Sequence, residues 1–479
     1  MHEPRSSCYL GAVRNSFLIA VLACAAPFGI IDAQVDTTRP LARPVGVDTS
    51  IPKRAALAIT EALSINVLVN RVDAWALGAD WARASLKSWG RNIRLGWEWD
   101  EDGFRTNMFG HPYHGGLYFN AGRSNGLSYW ESAPISFLGS WTWEYLGENY
   151  RPSLNDFFMT SFGGIALGEM VHRLAATVRD NTAHGGKRTW RELATMPLDP
   201  VGGLNRLMRG DWRRLGPNPP EHDPGAFVLR VHLGARFAKG FVIDGLARLP
   251  VGVVDLVYGD PFLRPYRAPF DAFNVRAIVS GGSGFNVLRA TGRLYGKDMN
   301  DRSRRTRHQF AINQRYDYVS NPAQSIGGQS VEFGIYSRWS IGRGDFGIRT
   351  SVFGDVILMG AIDAPNTGLG ERVYDFGPGA GGRFQLALER RGLRFLTLFL
   401  QGEYIHAVSG ASADHGVLFG GWELNVPIVR GLGLAIHATN FNRVSHYSDP
   451  AANPRTDRRY FPELRILAVW TKFGFSPAQ

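Results

Sequence analysis

Carboxylates and histidines gather between residues 107 and 172 at spacings that suit acid–base chemistry. Glu144 and Glu148 are four residues apart, which puts them on one face of a helix, and Glu169 and His172 are three apart. A carboxylate within reach of an imidazole can act in general acid–base catalysis, and a Glu-x-x-His pair on a helix can ligate a metal. The six candidate site residues are His111, Glu144, Glu148, Asp156, Glu169 and His172.

No established catalytic motif decides which chemistry these residues perform. The sequence has no HExxH, no G-x-S-x-G elbow, no P-loop and no dinucleotide fingerprint. Its two cysteines, Cys8 and Cys24, both fall in the predicted signal peptide, so a thiol nucleophile or thiolate site is excluded from the mature chain. Three interpretations stay open: polar groups that satisfy one another, a catalytic site, and a metal or ligand site. The sequence leaves the cofactor and the metal unknown.

The elements that must position these residues are predicted to be helical. Ser153 is the expected N-cap of a helix that runs to about Val178. Gly163, Gly164 and Gly168 lie on that helix, where each costs about 1 kcal/mol relative to alanine. Because small residues four apart allow close backbone approach, we expect this helix to pack tightly on another element; a helix kinked at its glycines is the alternative.

The rest of the N-terminal half is predicted as a helical module, residues 54–180, followed by a linker, residues 181–225. Arg54 to Trp89 has apolar residues at helical spacing, and Ile93 to Trp99 is predicted as a short strand. Prolines break the linker. Between them Leu204 to Trp212 forms either an amphipathic helix at a membrane surface or a solvated helix between domains.

Residues 226–479 are predicted to form an antiparallel transmembrane β-barrel of about 12 strands. Val331 to Trp339 alternates apolar and polar side chains, which is the side-chain period of a strand. Long loops are predicted at Ala361–Gly370 and Val444–Arg459. The predicted strands are Ala226–Phe237, Val242–Val257, Asp271–Ser280, Phe285–Tyr295, His308–Tyr318, Ser330–Ile341, Asp345–Met359, Gly381–Arg390, Leu393–His406, His415–Val426, Leu432–Phe441 and Glu463–Phe475.

The polar face of these strands is rich in arginine and is assigned to the barrel interior. An arginine that faces lipid at the midplane costs about 2–4 kcal/mol, whereas an interior arginine can pair with a carboxylate. The interior then holds either a structural ladder of paired charges or an anion-conducting lumen. If Leu229, Val231, Leu233 and Phe237 face lipid, the inward residues are Arg230, His232, Arg236, Arg276, Arg338 and Arg349, with Glu332, Asp355, Glu403 and Glu423 as partners.

The N-terminus and the charge distribution predict export to the cell outer membrane of a Gram-negative-type envelope. Residues 1–33 resemble a signal peptide, with Arg5 and Arg14 before a short apolar run, and residues 34–53 form a flexible leader. No later stretch of about 20 uncharged apolar residues is present. The net charge is +11, but the arginines are scattered, which disfavours nucleic acid as a partner. The expected partner is outer-membrane lipid, and the oligomeric state stays open.

The motifs of the helical module together resemble a bacterial family of uncharacterised envelope proteins, domain of unknown function 3943. The resemblance covers about Leu95–Arg214 and implies an envelope protein with no assigned reaction. The matching residues are Asn107, His111 to Gly115, Arg123 to Gly126, Trp143 to Glu148, Pro152 to Asp156, Gly163-Gly164 and Gly168-Glu169, with Asp199-Pro200 to Asn205-Arg206 as a further element.

Three functions therefore compete. The first is an outer-membrane barrel whose helical module acts as a plug or a periplasmic cap, with a structural role or passage of a small solute. The second is an envelope enzyme acting on lipid or glycan, with the six candidate residues as its site; the sequence does not decide whether the chain is an enzyme. The third is a soluble periplasmic β-sandwich or lipocalin-like binder, which requires an apolar interior.

Overall fold

In the computed structural model the described residues form two units, a helical unit at residues 51–219 and a strand unit at residues 225–474. The predicted signal peptide and most of the leader lie outside the described residues. The structure describes residues 51–219, 225–240, 243–281, 284–302, 305–321, 324–342, 346–364, 372–390, 393–429, 431–450 and 452–474.

The helical unit contains eight α-helices among the described residues, and four short π-helical turns adjoin five of them. Five-residue π-helical turns are rare and occur mostly at functional sites. The turns are Val72–Ala76, Thr106–Gly110, Trp143–Gly147 and Met159–Gly163. The helices are α1 (Ala55–Arg71), α2 (Leu86–Leu95), α3 (His111–Ser124), α4 (Tyr129–Thr142), α5 (Leu154–Phe158), α6 (Gly164–Val178), α7 (Gly185–Thr195) and α8 (Pro200–Met208).

Helix α1 turns its small and polar face inward and its apolar face outward. Ala58, Ala62, Asn66 and Asn70 are its buried residues, and Asn70 donates hydrogen bonds of 2.7 Å to two backbone carbonyls. Its exposed apolar side chains are Leu57, Ile59, Leu63, Val67 and Leu68. The helical run Ala55–Ala76 is long and apolar enough to cross a membrane, although it carries charged residues. The sequence prediction did not anticipate such a run.

Helices α3 and α6 cross with almost no space between their backbones. A Cβ on Gly164 would lie 2.3 Å from the carbonyl carbon of Gly115, and a Cβ on Gly115 would lie 1.7 Å from the carbonyl oxygen of Thr160. Gly116 and Gly168 form a second close contact along the same crossing. The predicted tight packing of the glycine-rich helix is therefore confirmed, and its partner is the helix that begins at His111.

Two local predictions for this unit hold, two are wrong, and the prediction for the linker is incomplete. Ser153 caps α5, because its hydroxyl accepts a hydrogen bond from the backbone N–H of Asp156, and the helical run ends at Val178 as predicted. The helix predicted from Arg54 to Trp89 is broken, because α1 and its π turn end at Ala76 and a separate helix begins at Leu86. The predicted strand at Ile93–Trp99 is instead the end of α2 and an irregular segment, which forms only a single bridge between Glu98 and Ser153. The short helix predicted within the linker corresponds to α8, which begins at Pro200, whereas α7 in the same linker was not predicted.

The strand unit is a closed antiparallel barrel of twelve strands, which confirms the predicted fold and excludes a sandwich. Each strand pairs with its neighbours in sequence, and β1 closes the barrel against β12. The strands are β1 (Phe227–Gly240), β2 (Ile243–Tyr258), β3 (Phe273–Ser280), β4 (Gly284–Asp298), β5 (Thr306–Asn321), β6 (Gln324–Ile341), β7 (Phe346–Asp363), β8 (Tyr374–Arg390), β9 (Leu393–His406), β10 (Ala413–Val429), β11 (Leu432–Tyr447) and β12 (Thr456–Gly474).

Most strands are longer than predicted, and the extra residues come from predicted loops. β7 continues to Asp363, and β11 and β12 take up half of the loop predicted at Val444–Arg459. Polar residues are frequent in the extensions of β11 and β12, whereas β7 continues through Gly360, Ala361 and Ile362 to Asp363. The added residues lie beyond the stretch of alternating apolar and polar side chains from which each strand was predicted, so the prediction ended too early.

Large apolar side chains cover much of the outside of the barrel. Val352 on β7 is 54% exposed, and its cross-strand neighbours Ile335 and Phe384 are exposed as well. Leu233 is also exposed, as predicted, whereas Leu229, which was predicted to face lipid as well, is only 1% exposed. An apolar exterior on a closed barrel is the arrangement of a transmembrane β-barrel.

Ion pairs fill much of the interior. The Arg315 guanidinium contacts the carboxylates of Asp317, Asp355 and Glu403, at 3.0, 2.8 and 2.5 Å, and lies 3.7 Å from Glu332. Arg276 pairs with Asp255 and with the predicted partner Glu423. Arg338 and Arg349 instead share Glu389, and Arg349 also binds Asp260. The predicted ladder of charges is present, although the sequence did not identify Arg315 or Glu389.

A layer of inward-facing apolar side chains also fills part of the barrel, which the sequence analysis did not predict. Phe419 stacks on Phe441, and Phe461 packs beside Phe441. Val253 and Ile405 belong to the same buried cluster. These positions share strand faces with the inward charges, so the alternating pattern alone does not reveal them.

Candidate functional site

Four of the six predicted site residues come together in the helical unit. We call His111, Glu144, Glu148 and Asp156, with their neighbours Asp100 and Asp102, the His–carboxylate cluster. His111 begins α3, and its Nε2 lies 3.5 Å from Oδ1 of Asp156 in α5. Asn155 donates a 2.5 Å hydrogen bond to Asp100 and a 2.8 Å hydrogen bond to Asp156, so its amide joins two carboxyl groups.

Glu144 and Glu148 enter the cluster from a π-helical turn and from the residue after it. Glu144 Oε2 accepts a 2.8 Å hydrogen bond from the backbone N–H of Ser153, and its Oε1 is buried with no hydrogen-bond partner among the described residues. Glu148 accepts a 2.7 Å hydrogen bond from the Trp143 indole. Glu148 adopts an extended conformation just after the turn. The two residues do share a site, although not as neighbours on one α-helix, as predicted.

Burial and mutual repulsion favour the protonated form of three carboxyl groups in the cluster, those of Glu144, Glu148 and Asp156. Burial raises the pKa of Glu144 well above its usual range, and the negative charge of Glu148 adds to that effect. Burial, and then the charge of Asp102, raises the pKa of Glu148 to about 8. Burial, followed by Asp100, raises the pKa of Asp156 well above its usual range. The raised pKa favours the neutral carboxylic acid form of Glu144, and a carboxylic acid can donate a proton.

The imidazoles of the cluster are held neutral. Burial lowers the pKa of His111 to about 4, partly offset by the charge of Asp100. Burial also lowers the pKa of His114, to about 3. His114 Nε2 lies 2.9 Å from the Tyr118 hydroxyl, and its ring packs against the edge of Trp143. The cluster therefore places a neutral imidazole, that of His111, beside buried carboxyl groups whose raised pKa favours the protonated form.

Glu169 and His172 belong to a separate set of ion pairs. Glu169 is fully buried and accepts hydrogen bonds from Arg123 at 2.8 Å and from Arg173 at 2.7 Å. His172 lies 3.7 Å from Asp199, which also caps α8. The predicted Glu-x-x-His pair therefore does not form a shared metal site. Within the part of the chain that the structure describes, no group of three or more histidine, cysteine or acidic side chains is arranged to hold a metal ion.

The sequence analysis missed Asp100 and Asp102, which come directly before the first motif. The sequence feature that could have indicated them is the acidic run Asp100-Glu101-Asp102, which follows the segment predicted as a strand. Asp100 accepts a 3.0 Å hydrogen bond from Asn107, the first residue of the family motif. That motif asparagine therefore positions a carboxylate in the cluster.

Raising the pH is expected to destabilise the helical unit. Glu148 keeps its proton in the fold up to about pH 8 but loses it near pH 4.5 when unfolded, so stability falls as pH rises between those values. Above pH 6.5 His111 and His114 are neutral in both states and do not oppose this trend. From pH 6.5 to pH 8.5 we expect a loss of a few kcal/mol, and Glu148→Gln should remove a large share of it.

The measurement is thermal unfolding followed by circular dichroism at 222 nm across this pH range. In the described part of the chain all α-helices lie before residue 219, so the signal reports on the helical unit. Glu131→Gln is the matched control, because Glu131 is exposed and already ionised across this range, its pKa being lowered by Lys53. If the stability of Glu148→Gln fell as steeply with pH as that of the natural chain, Glu148 would not be the source of the pH dependence.

Comparison with known proteins supports the family resemblance but gives little further evidence about the fold. The family model "Domain of unknown function (DUF3943)" matches residues 96–201, which confirms the resemblance drawn from the motifs. The matched segment holds all six candidate residues. No curated protein matches the chain.

The solved structures that match are outer-membrane barrels of very low similarity. The NanC porin is 9% identical, with a TM-score of 0.25, over 51% of this chain and 99% of its own. OmpT of Vibrio cholerae is 10% identical, with a TM-score of 0.20, over 52% and 98%. OccAB3 of Acinetobacter baumannii is 8% identical, with a TM-score of 0.19, over 52% and 99%. The barrel assignment therefore rests on the strand pairing of this chain.

Proposed function

We propose that this chain is an outer-membrane β-barrel protein with a structural role or a role in the passage of a small solute. The observation that carries the proposal is the closed twelve-strand barrel with apolar side chains outside and ion pairs inside. Such a barrel leaves no strand edge unpaired, which a bilayer requires. Outer-membrane lipid is the partner that its exterior fits.

We further propose that the helical unit acts as a cap on the periplasmic side. The sequence allowed either a plug or a cap. The barrel interior already holds its own ion pairs and an apolar layer, which favours the cap. The buried polar clusters of the helical unit give it an internal framework of its own.

Fractionation and gel migration test the barrel proposal. The protein should remain with outer membranes after washing with high salt or alkali, and it should migrate differently on gels before and after boiling. Release by salt alone, or migration that boiling does not change, would overturn the proposal.

Val352→Arg is expected to impair insertion of the barrel. Val352 lies among exposed apolar residues of three adjacent strands, and an arginine there costs about 2–4 kcal/mol near the bilayer midplane. Urea titration of folding into lipid vesicles should show this loss, and Val352→Leu should show almost none. Equal stability of the two variants would place β7 outside the lipid.

An envelope enzyme acting on lipid or glycan is the second candidate function. The observation that favours it is the unpaired, buried oxygen of Glu144 beside His111 and Asp156. Glu144→Gln keeps the size of the side chain, so it should leave the helical unit folded while altering the lipid or glycan profile of the envelope as strongly as deletion of the gene. A profile equal to that of the natural chain, from a folded variant, would refute the enzyme hypothesis.

A further inference from the structure

The charged part of the barrel interior encloses a cavity of about 270 Å³ that is lined by more arginines than carboxylates. Side chains from ten strands and the loop after β2 contribute to it. Its aromatic lining includes Phe262, Tyr336, Phe399 and Phe419. The arginines that line it are Arg230, Arg276, Arg289, Arg293, Arg315, Arg349, Arg383 and Arg394, and the carboxylates are Asp255, Asp317 and Glu423.

Two of these arginines, Arg230 and Arg394, have no hydrogen bond or ion pair to any residue that the structure describes. The other six each pair with a carboxylate, some of which lie behind the cavity wall. Arg230 is only 9% exposed, and its Nε is buried without a partner. Arg230 comes from β1 and Arg394 from β9, which are separated by three strands in the barrel order.

The two carboxylates near Arg230, those of Asp255 and Glu423, both bind Arg276 instead. Asp255 sits opposite Arg230 in the strand register, but its two oxygens bind Arg276 at 2.5 and 3.1 Å, and His232 lies 3.2 Å from one of them. Glu423 also gives both of its oxygens to Arg276. Arg276 therefore uses four carboxylate oxygens, and Arg230 is left without any.

The same holds around Arg394, whose charged neighbours are Arg349, Arg230, Asp260 and Glu389. Glu389 accepts hydrogen bonds from Arg338 at 2.7 Å and from Arg349 at 2.6 Å. Asp260 binds Arg349 with one oxygen and the backbone N–H of Phe262 with the other. Around the two unpaired arginines, five guanidinium groups face four carboxylates: Arg230, Arg276, Arg338, Arg349 and Arg394 against Asp255, Asp260, Glu389 and Glu423.

We propose that this cavity binds a small anionic solute through one oxyanion group held by Arg230 and Arg394. A guanidinium group presents paired N–H donors that match a carboxylate or another oxyanion, and a buried one without a partner is costly. The aromatic lining offers apolar contact to the rest of the solute, and the volume fits a molecule about as large as a sugar acid. The inference rests on the proposed function and deepens it by naming the class of solute.

Direct binding tests the cavity separately from transport. The full chain in detergent is titrated calorimetrically with glucuronate, with glucose as the neutral analogue of the same size, and with sulfate as a competitor. We expect glucuronate to bind, glucose not to bind, and sulfate to displace glucuronate. Failure of glucuronate to bind, equal binding of glucose, or no displacement by sulfate would overturn the proposal.

Variants decide whether the two arginines form the site. Arg230→Gln and Arg394→Gln should each weaken glucuronate binding by about tenfold or more, because a charged hydrogen-bonding group is lost. Arg458→Gln removes the same charge from an exposed position on β12 and should leave binding unchanged. A heat-dependent gel shift confirms that each variant is folded. An equal loss in Arg458→Gln would mean that only the overall positive charge attracts the anion.

Transport assays distinguish this inference from the function on which it rests. Glucuronate that binds in detergent but does not cross vesicles containing the protein would refute passage and retain the site. Glucuronate that crosses vesicles equally well with both arginines replaced would retain passage and refute the site.

Discussion

Gly115→Ala is expected to unfold the helical unit. The new methyl group would lie 1.7 Å from the carbonyl oxygen of Thr160 and 3.0 Å from the backbone of Gly164, so α3 and α6 would have to separate. Both partners are backbone atoms and cannot rotate away as a side chain would. We expect a loss above about 3 kcal/mol, measured as a lower thermal midpoint of the helical signal at 222 nm.

Gly90→Ala provides the matched control. Gly90 lies inside α2, and no atom comes within 4 Å of the position that its Cβ would occupy. This substitution should instead stabilise the helical unit by about 0.5–1 kcal/mol, because alanine favours the helix. If the two alanine substitutions shifted the midpoint equally, the close crossing of α3 and α6 would not exist in solution.

Arg315→Met is expected to destabilise the barrel by about 3–5 kcal/mol, because it leaves the carboxylates of Asp355 and Glu403 without a cation and takes one of two cations from Asp317. Arg315 is the shared partner of Asp317, Asp355 and Glu403, and Glu332 keeps only Arg383 without it. Urea unfolding of the barrel in vesicles, followed by gel migration without boiling, measures the effect.

Arg230→Met is the control for this prediction. It removes the same charge from the same interior, but from a guanidinium group that has no carboxylate partner among the described residues. The barrel should keep its stability or gain some, because methionine removes an unpaired buried charge. Similar losses for both variants would show that the pairing around Arg315 contributes nothing specific.

The barrel was predictable from the sequence because a strand with one apolar face leaves a period of two in a short window. All twelve strands were found from that period, including Leu393–His406 with its observed bounds. The partners of the interior charges were not predictable. Arg315 and Glu403 are 88 residues apart, and their contact depends on the closure of the barrel.

The candidate site shows the same limit. The motifs singled out His111, Glu144, Glu148 and Asp156, and these four residues meet in one cluster because each lies near the beginning or end of a helix or turn. Spacing along the helix did not predict the partners of Glu169, since Arg123 reaches it from 46 residues away. The stripe of apolar residues on α1 likewise predicted a helix but not its orientation, because the close-packed face is made of alanine and asparagine.

The layer formed by Phe419, Phe441 and Phe461 has a consequence for permeability. A narrow passage lined by apolar side chains excludes water and ions, so this layer can limit leakage through the barrel without a separate plug. A membrane that carries many copies of this protein is therefore expected to leak little salt while these rings keep their packing.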